Sequence, residues 1–404
     1  MNSELKLLQA NLRKSEGAQH SMLNDEELAD HSLLLITEPY LFTDREGHYK
    51  VAPQHHTCWT PILPETTSAE ERPRAMIWAH KEVTARLIPS TCRDIAAVTI
   101  ELSGRTILVL SVYVQTKTDT EDAELQTKLD QVRALINHTR RNHRGRVEII
   151  LSGDFNRHDQ LWGGDDVGLT PRQGEGEPII QIMSDLDLQI LLPRGTITWH
   201  SDDGDHQSTI DLIMATPELT EEVTSCTTAD TQHGSDHTAV RTTFSATVDF
   251  RQSRPRKIWK KAKWSQINAT LSLTLQSRPN PDQPGDVDSY WDYLQEILLP
   301  TLNKYVPEAR PSPHQKRWWT ENLTQLRKDY SYWRNRASAI RRSGPKDPAL
   351  ESMASSYKKR FHDAHSNKGS GLQSRVGKKR SNGPRSPRTR KYSSTRPTEK
   401  EELD

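Results

Sequence analysis

The sequence predicts an α/β protein: a four-layer α/β sandwich with mixed β-sheets, followed by a helical linker and a disordered basic tail. Three observations predict it. Residues 147–151 form an almost wholly apolar, β-branched run, the pattern of a strand buried on both faces. Around it, short apolar runs alternate with hairpin turns and with helical stretches, so the sheets mix parallel and antiparallel pairs. The charge also reverses along the chain. Residues 251–404 hold 33 Lys and Arg against 15 Asp and Glu, and residues 1–250 hold 22 against 39. A net charge of +1 over 404 residues therefore conceals an acidic body and a basic C-terminal part.

In chain order, Leu5, Leu7 and Leu8 open a strand that closes on Gln9-Ala10-Asn11, and residues 25–29 read as helix. A second apolar run, 33–36, ends in Thr37-Glu38-Pro39, where proline stops the strand and fixes the direction of the Glu38 carboxylate. Residues 42–74 are polar and proline-rich and read as loop, and 75–80 as a short strand. Runs 95–102 and 106–114, joined by Ser103-Gly104-Arg105, spell a hairpin. Residues 120–141 place Leu125, Leu129, Val132, Leu135 and Ile136 on one helical face. The central strand follows and breaks at Ser152-Gly153. A glycine-rich loop (163–176), a helix (178–188), two strands (195–200 and 208–215) and a last alternating strand (238–248) complete the body.

The domain reading is 1–248 for the body, 249–364 for a basic, partly helical linker, and 365–404 for a low-complexity tail of Ser, Gly, Lys, Arg and Pro. In the linker, Trp319, Leu323, Leu326, Tyr330, Trp333, Ala337 and Ile340 recur in steps of three and four, a heptad-like stripe. Packing against a neighbour is its ordinary use; stacking on bases between Arg and Lys is the alternative. With only 33% hydrophobic residues, a core is expected in part of the chain and not in all of it. Cys58, Cys92 and Cys226 are too dispersed for a zinc knuckle or a disulfide framework. The N-terminus lacks the apolar run of a secretory signal, and no apolar stretch is long enough to span a bilayer, so no membrane partner is expected.

Polar residues gather at strand ends: Asn11, Glu38, Tyr113, the Asp154/Asn156 pair, Thr198, Asp211 and the Ser235-Asp236-His237 cluster. Such sheet edges collect ligand sites, although Asp154 and Asn156 also suit a plain Asx turn. Asp211, inside an apolar strand, requires a buried partner, and His237 is the natural one.

In that order, the elements Gln9-Ala10-Asn11, Thr37-Glu38-Pro39, Ser111-Val112-Tyr113, Ser152-Gly153-Asp154-Phe155-Asn156, Ser208-Thr209-Ile210-Asp211 and Ser235-Asp236-His237 resemble the endonuclease/exonuclease/phosphatase superfamily of metal-dependent phosphodiesterases. The resemblance covers residues 4–247 and is nearest to the apurinic-type endonuclease domain of non-LTR (LINE-type) retrotransposons. Lys316-Arg317-Trp318-Trp319-Thr320-Glu321 is similar to the linker before reverse transcriptase in such polyproteins. The resemblance implies that Glu38 binds Mg²⁺ (or Mn²⁺), with Asn11 beside it and Asp236 as a further ligand. It implies that Asp154 deprotonates the attacking water and that Asn156, Asn11 and Tyr113 hold the scissile phosphate. His237, backed by Asp211, would stabilise the transition state, with Thr198 and Ser235 adding phosphate contacts. The implied product is nicked DNA with a 3′-hydroxyl for target-primed reverse transcription. Retroelement RNA is a further partner for the basic part, and a nuclear location is expected.

Two departures stand out. Repair enzymes carry an acid two residues after the first Asn, where this chain has Arg13, which speaks against a dedicated repair role. The 404 residues also leave no room for a reverse transcriptase, so a truncated or frameshifted copy is expected. Alternative readings are a degenerate fragment that binds nucleic acid without activity, or a superfamily enzyme acting on a non-DNA substrate. His158 is read as a loop histidine near the substrate channel.

Overall fold

A computed structural model describes residues 2–65, 71–102, 104–116, 122–249, 257–275, 287–308 and 319–378. Lys316, Arg317 and Trp318 of the linker motif, and residues 379–404 of the tail, lie outside the described residues.

Strand β1 (Asn2–Asn11) is followed by helix α1 (Glu16–Leu23) and strand β2 (Leu33–Thr37). Short strands β3 (Leu41–Thr43), β4 (Tyr49–Val51) and β5 (Trp59–Ile62) cross the stretch expected to be loop. Then β6 (Ala75–His80), β7 (Ala85–Ile88), β8 (Ile95–Leu102) and β9 (Arg105–Tyr113) lead to helix α2 (Asp122–Asn142) and the central strand β10 (Val147–Asp154). Helices α3 (Gln160–Gly163) and α4 (Glu177–Leu186) precede β11 (Gln189–Ile190), β12 (Trp199–His200), β13 (Gln207–Ser208) and β14 (Asp211–Ala215). Helix α5 (Pro217–Glu221), β15 (Val223–Thr228) and β16 (Val240–Asp249) close the body, and α6 (Trp264–Leu275), α7 (Val287–Tyr305), α8 (Glu321–Ser343) and α9 (Pro348–Lys378) follow.

Two six-stranded sheets form, in the orders β15-β16-β1-β2-β6-β5 and β11-β14-β10-β9-β8-β7. Both are mixed: β1 runs parallel to β2 and antiparallel to β16, and β10 parallel to β9 and antiparallel to β14. Their inner faces meet through alternate residues, Leu5, Leu7, Leu33 and Leu35 from one sheet against Val98, Val109, Ile150 and Ile213 from the other. Each such side chain, removed from water, contributes about 1.5–3 kcal/mol. Helices α2 and α4 cover the outer face of the second sheet through Leu129, Val132, Ile179 and Ile182. Helix α1 and the β3–β4 hairpin cover the first through Ala18, Met22, Leu41 and Val51. The four layers are those expected.

The details depart from expectation in several places. The helix expected at 25–29 is a single 3₁₀ turn, Glu26–Leu28, and the true helix, α1, lies just before it. Its buried face includes Gln19, His20 and Ser21, so no apolar period marked it. The stretch 195–200 is strand only at Trp199–His200. Helix α9 runs to Lys378, so residues 365–378 are helical where tail was expected.

The C-terminal stripe packs as a helix on its neighbour. Trp319, Leu323, Tyr330 and Phe361 form a small core between α8 and α9. The hairpin docks on the acidic body through Arg327 with Asp25, Lys358 with Asp202, and Lys346 with Asp205. Part of the charge reversal thus serves docking within the chain. Trp259 and Trp264, further upstream, stack on each other and stay half exposed.

Candidate active site

The register of the strands assembles the site. Asp154 on β10 stands beside Tyr113 on β9 and Asp211 on β14. On the facing sheet, Asn11 stands beside Thr37, with Glu38 next along the chain. Both sheets therefore end their central strands at one cleft of about 480 Å³. Asn11, Glu38, Tyr113, Asp154, Asn156, Asp236 and His237 all line it.

Gly153 makes this possible. A Cβ there would lie 1.8 Å from the Val112 carbonyl oxygen, so only glycine lets β9 and β10 close ranks next to Asp154. The backbone is also held in unfavourable conformations around the cleft. Arg13, Lys14, Glu38 and Asn156 have φ of 48°, 56°, 47° and 47°. The left-handed region suits asparagine but costs the other three, and such conformations concentrate at functional sites.

Hydrogen bonds fix the acids. Asn11 Nδ2 donates to Asp154 Oδ2 at 2.8 Å, and Asn156 N donates to Asp154 Oδ1 at 3.1 Å. Asp211 accepts from Gln9 Nε2 at 2.7 Å and faces His237 Nδ1 at 2.8 Å. This pairing is the one expected of the buried acid. It turns His237 Nε2 toward the cleft, 3.9 Å from Asp154 Oδ2. Burial pushes the Asp154 carboxyl up to about 7, against the pull of His237 and its hydrogen bonds. Burial alone would lower His237, but Asp211, then Asp154 and Asp236, raise it to about 9. Burial and the Glu38 carboxylate push the Tyr113 phenol up, so it stays a hydrogen-bond donor.

Two expected phosphate contacts are not in the cleft. Thr198 is fully buried, and its hydroxyl accepts from the Ile210 and Asp211 amides at 3.1 Å. It holds the start of β14 rather than a substrate. Ser235 Oγ accepts from His237 N at 3.2 Å and leans on Asp236, bracing the loop from behind. Asn156 keeps its place in the cleft, with Nδ2 tied to the Val114 carbonyl at 2.8 Å.

Other residues enter the site without having been singled out. Gln9 bridges to Asp211; its place two residues before Asn11 on a buried strand was the available signal. Trp199 Nε1 donates to Asp236 at 3.1 Å, and nothing in the sequence marked it. His158 does line the cleft. Its Nδ1 meets Glu175 at 3.0 Å and its Nε2 meets Arg172 at 3.0 Å, so a neutral imidazole steadies a guanidinium at the rim.

Oxygen donors suited to a hard divalent ion are present in Glu38, Asn11 and Asp236. Cations already lean on two of them: Lys14 Nζ is 2.9 Å from Glu38, and Arg13 is 3.5 Å from Asp236. Two of the three donors thus attract cations, while Asn11 Oδ1 already accepts from Arg13 N at 2.8 Å. Asp154, Asp211 and His237 are also clustered closely enough to share an ion. However, both Asp211 oxygens are committed to Gln9 and His237, which suits a proton-holding pair better than a metal shell.

The fold and the cleft have counterparts among known proteins. Residues 107–241, about a third of the chain, match the family model described as endonuclease-reverse transcriptase. No curated protein sequence matches the chain. Among solved structures, the endonuclease domain of TRAS1, a telomere-specific non-LTR retrotransposon, is 19% identical at a TM-score of 0.46, covering 59% of this chain and 98% of that one. The AP endonuclease LMAP from Leishmania major is 14% identical at 0.47, covering 60% and 87%. An AP endonuclease from Archaeoglobus fulgidus is 15% identical at 0.43, covering 59% and 99%.

Proposed function

We propose that this chain is a Mg²⁺-dependent DNA endonuclease that leaves a 3′-hydroxyl, of the kind that primes reverse transcription in non-LTR retroelements. One observation carries the reading: motifs from both sheets converge on a single cleft in which a buried carboxylate faces a histidine held by a second buried carboxylate.

The geometry supports a role for each residue. Asp154, its carboxyl raised and its oxygens oriented by Asn11 and Asn156, takes the proton of the attacking water. Tyr113 and the Asn156 and Asn11 amides donate toward the phosphate oxygens. His237, protonated and locked on Asp211, presents Nε2–H to the charge that grows on phosphorus-bound oxygen. Glu38, Asn11 and Asp236 would hold Mg²⁺ or Mn²⁺, and such an ion, when bound, neutralises charge on the phosphodiester. Arg13, Lys14 and Arg172 at the cleft suit a polyanionic strand. The exposed basic residues of the linker extend the same preference to DNA or to element RNA, and a nuclear location accords with that substrate.

The test is supercoiled plasmid incubated with the full chain and Mg²⁺, with EDTA and with the Asp154→Ala and His237→Ala variants alongside. The reading expects nicked circles, abolished by chelation and by either substitution, with ends that a DNA polymerase extends. Equal nicking by all three proteins would refute it.

A further inference from the structure

Ser235, Asp236 and His237 sit in residues 229–239, a connection between β15 and β16 that is neither helix nor strand. Main-chain groups in such a loop need partners if the loop is to hold a geometry. The nuclease body supplies some: Ala229 N donates to Ala239 O at 2.7 Å, Thr238 N to Thr198 O at 2.6 Å, and His200 N to Asp236 O at 3.2 Å.

The other partners come from α8 and α9. Ser331 Oγ accepts from Gln232 N at 2.8 Å. Asn335 Nδ2 donates to Asp230 O at 2.7 Å, and its Oδ1 accepts from Gln232 Nε2 at 3.3 Å. Arg334 Nη2 donates to Asp236 O at 3.4 Å. His362 stands against Gly234, where an added Cβ would lie 3.2 Å from the ring. Loop residues 230, 232, 234 and 236 are thus each met by the helical hairpin. Ser331, Arg334 and Asn335 have the i, i+3, i+4 spacing of a single helix face. One turn earlier on α8, buried Arg327 donates to Ser21 O at 2.8 Å and Asp25 Oδ1 at 3.0 Å, which fixes the helix to the body. His233 of the same loop meets Ser21 Oγ at 3.0 Å.

We infer that the α8–α9 hairpin belongs to the catalytic apparatus: Ser331, Arg334 and Asn335 are positioning residues for the loop that presents Asp236 and His237. The inference rests on reading that loop as catalytic. His237 must keep Nε2 aimed into the cleft while Nδ1 stays on Asp211, and a small displacement of its backbone breaks one of those alignments. Ser331, Arg334 and Asn335 bond residues 230, 232 and 236 of the loop and not the strands that carry Asp154, Asn11 and Tyr113, so their loss is expected to reach the cleft through Asp236 and His237.

The full chain carrying Ser331→Ala with Asn335→Ala is compared with wild type, Ser331→Thr, and Ser356→Ala, at an exposed uncharged position of α9. Plasmid nicking with Mg²⁺ gives kcat and KM, and amide hydrogen exchange reads residues 229–239. The double variant is expected to lose about tenfold to about a hundredfold in kcat with KM within about twofold. Its loop amides, led by Gln232, exchange faster while β10 stays protected. Ser331→Thr and Ser356→Ala behave as wild type. Should the double variant not fold, Asn335→Ala alone is read the same way. Unchanged loop exchange overturns the hold itself, and faster exchange with unchanged kcat overturns positioning. A wild type that nicks nothing overturns the nuclease reading, and with it the catalytic part of the inference, whereas the exchange arm still reports on the hold.

Discussion

The two halves of the cleft are built in different ways. Asn11, Tyr113, Asp154 and Asp211 end buried strands whose register places them side by side. Asp236 and His237 ride on an irregular loop braced by Ser331, Arg334 and Asn335. The strand half takes its precision from sheet hydrogen bonds and core packing, so disturbing it disturbs the fold. The loop half takes its precision from a few side chains far away in sequence, so disturbing it should cost activity first.

Two glycines offer the largest contrast. Gly153→Ala drives a methyl group into the Val112 carbonyl and should destabilise the protein by about 3 kcal/mol or more in thermal unfolding. Gly234→Ala, at φ +98° and against His362, should cost about 1 kcal/mol in the same measurement while lowering the nicking rate disproportionately. Similar losses of stability at both positions would remove the distinction.

A second contrast lies within the histidine pair. Asp211→Asn keeps the shape but exchanges a carboxylate for a neutral amide at His237 Nδ1. It should lower kcat by about a hundredfold or more and also lower the melting temperature, because His237 loses its buried charge partner. Gln9→Ala removes only the brace behind Asp211 and should fall between this variant and wild type.

Acid sensitivity offers a third. Burial lowers His233 in the loop well below its ordinary value and lowers His56 in the body to about 4. Both are therefore neutral in the folded protein and would take up a proton on unfolding. Stability from each is fully present above about 6.5 and falls as pH drops below it, at up to about 1.4 kcal/mol per pH unit. The melting temperature should fall between about pH 7 and about pH 5, and His56→Gln should remove its share of that fall. If the loop half is the weaker, local exchange at 229–239 rises before the global transition moves.

The smallest effect is expected at the rim. Arg172→Ala should weaken DNA binding by about threefold to about tenfold and reduce the log–log salt slope by about 1. An unchanged slope would mean that the Glu175–His158–Arg172 chain serves the loop alone.

The same contrast explains what the sequence disclosed. Apolar runs closing on Asn11, Glu38, Tyr113 and Asp154 follow local rules, so strands and strand-end acids were legible together. Asp211 declared its need for a partner because an acid within an apolar strand is costly. Thr198 and Ser235 were misplaced because proximity along the chain to a site does not tell which way a hydroxyl faces. Helix α1 was hidden by its buried Gln19, His20 and Ser21, and β15, Val-Thr-Ser-Cys-Thr-Thr, by its weak apolar content. The polar face of α8 was invisible for a different reason. Its apolar stripe could be read from spacing, but Ser331, Arg334 and Asn335 gain meaning only from loop residues about a hundred positions earlier.

The central claim is that Asp154 and His237, brought together from strand and loop, hydrolyse a phosphodiester. Single-turnover nicking of saturating supercoiled plasmid by Asp154→Asn, beside wild type and at equal occupancy, tests it most directly. The account predicts a loss of about a thousandfold in rate with DNA affinity unchanged. A variant that nicks at the wild-type rate would contradict it.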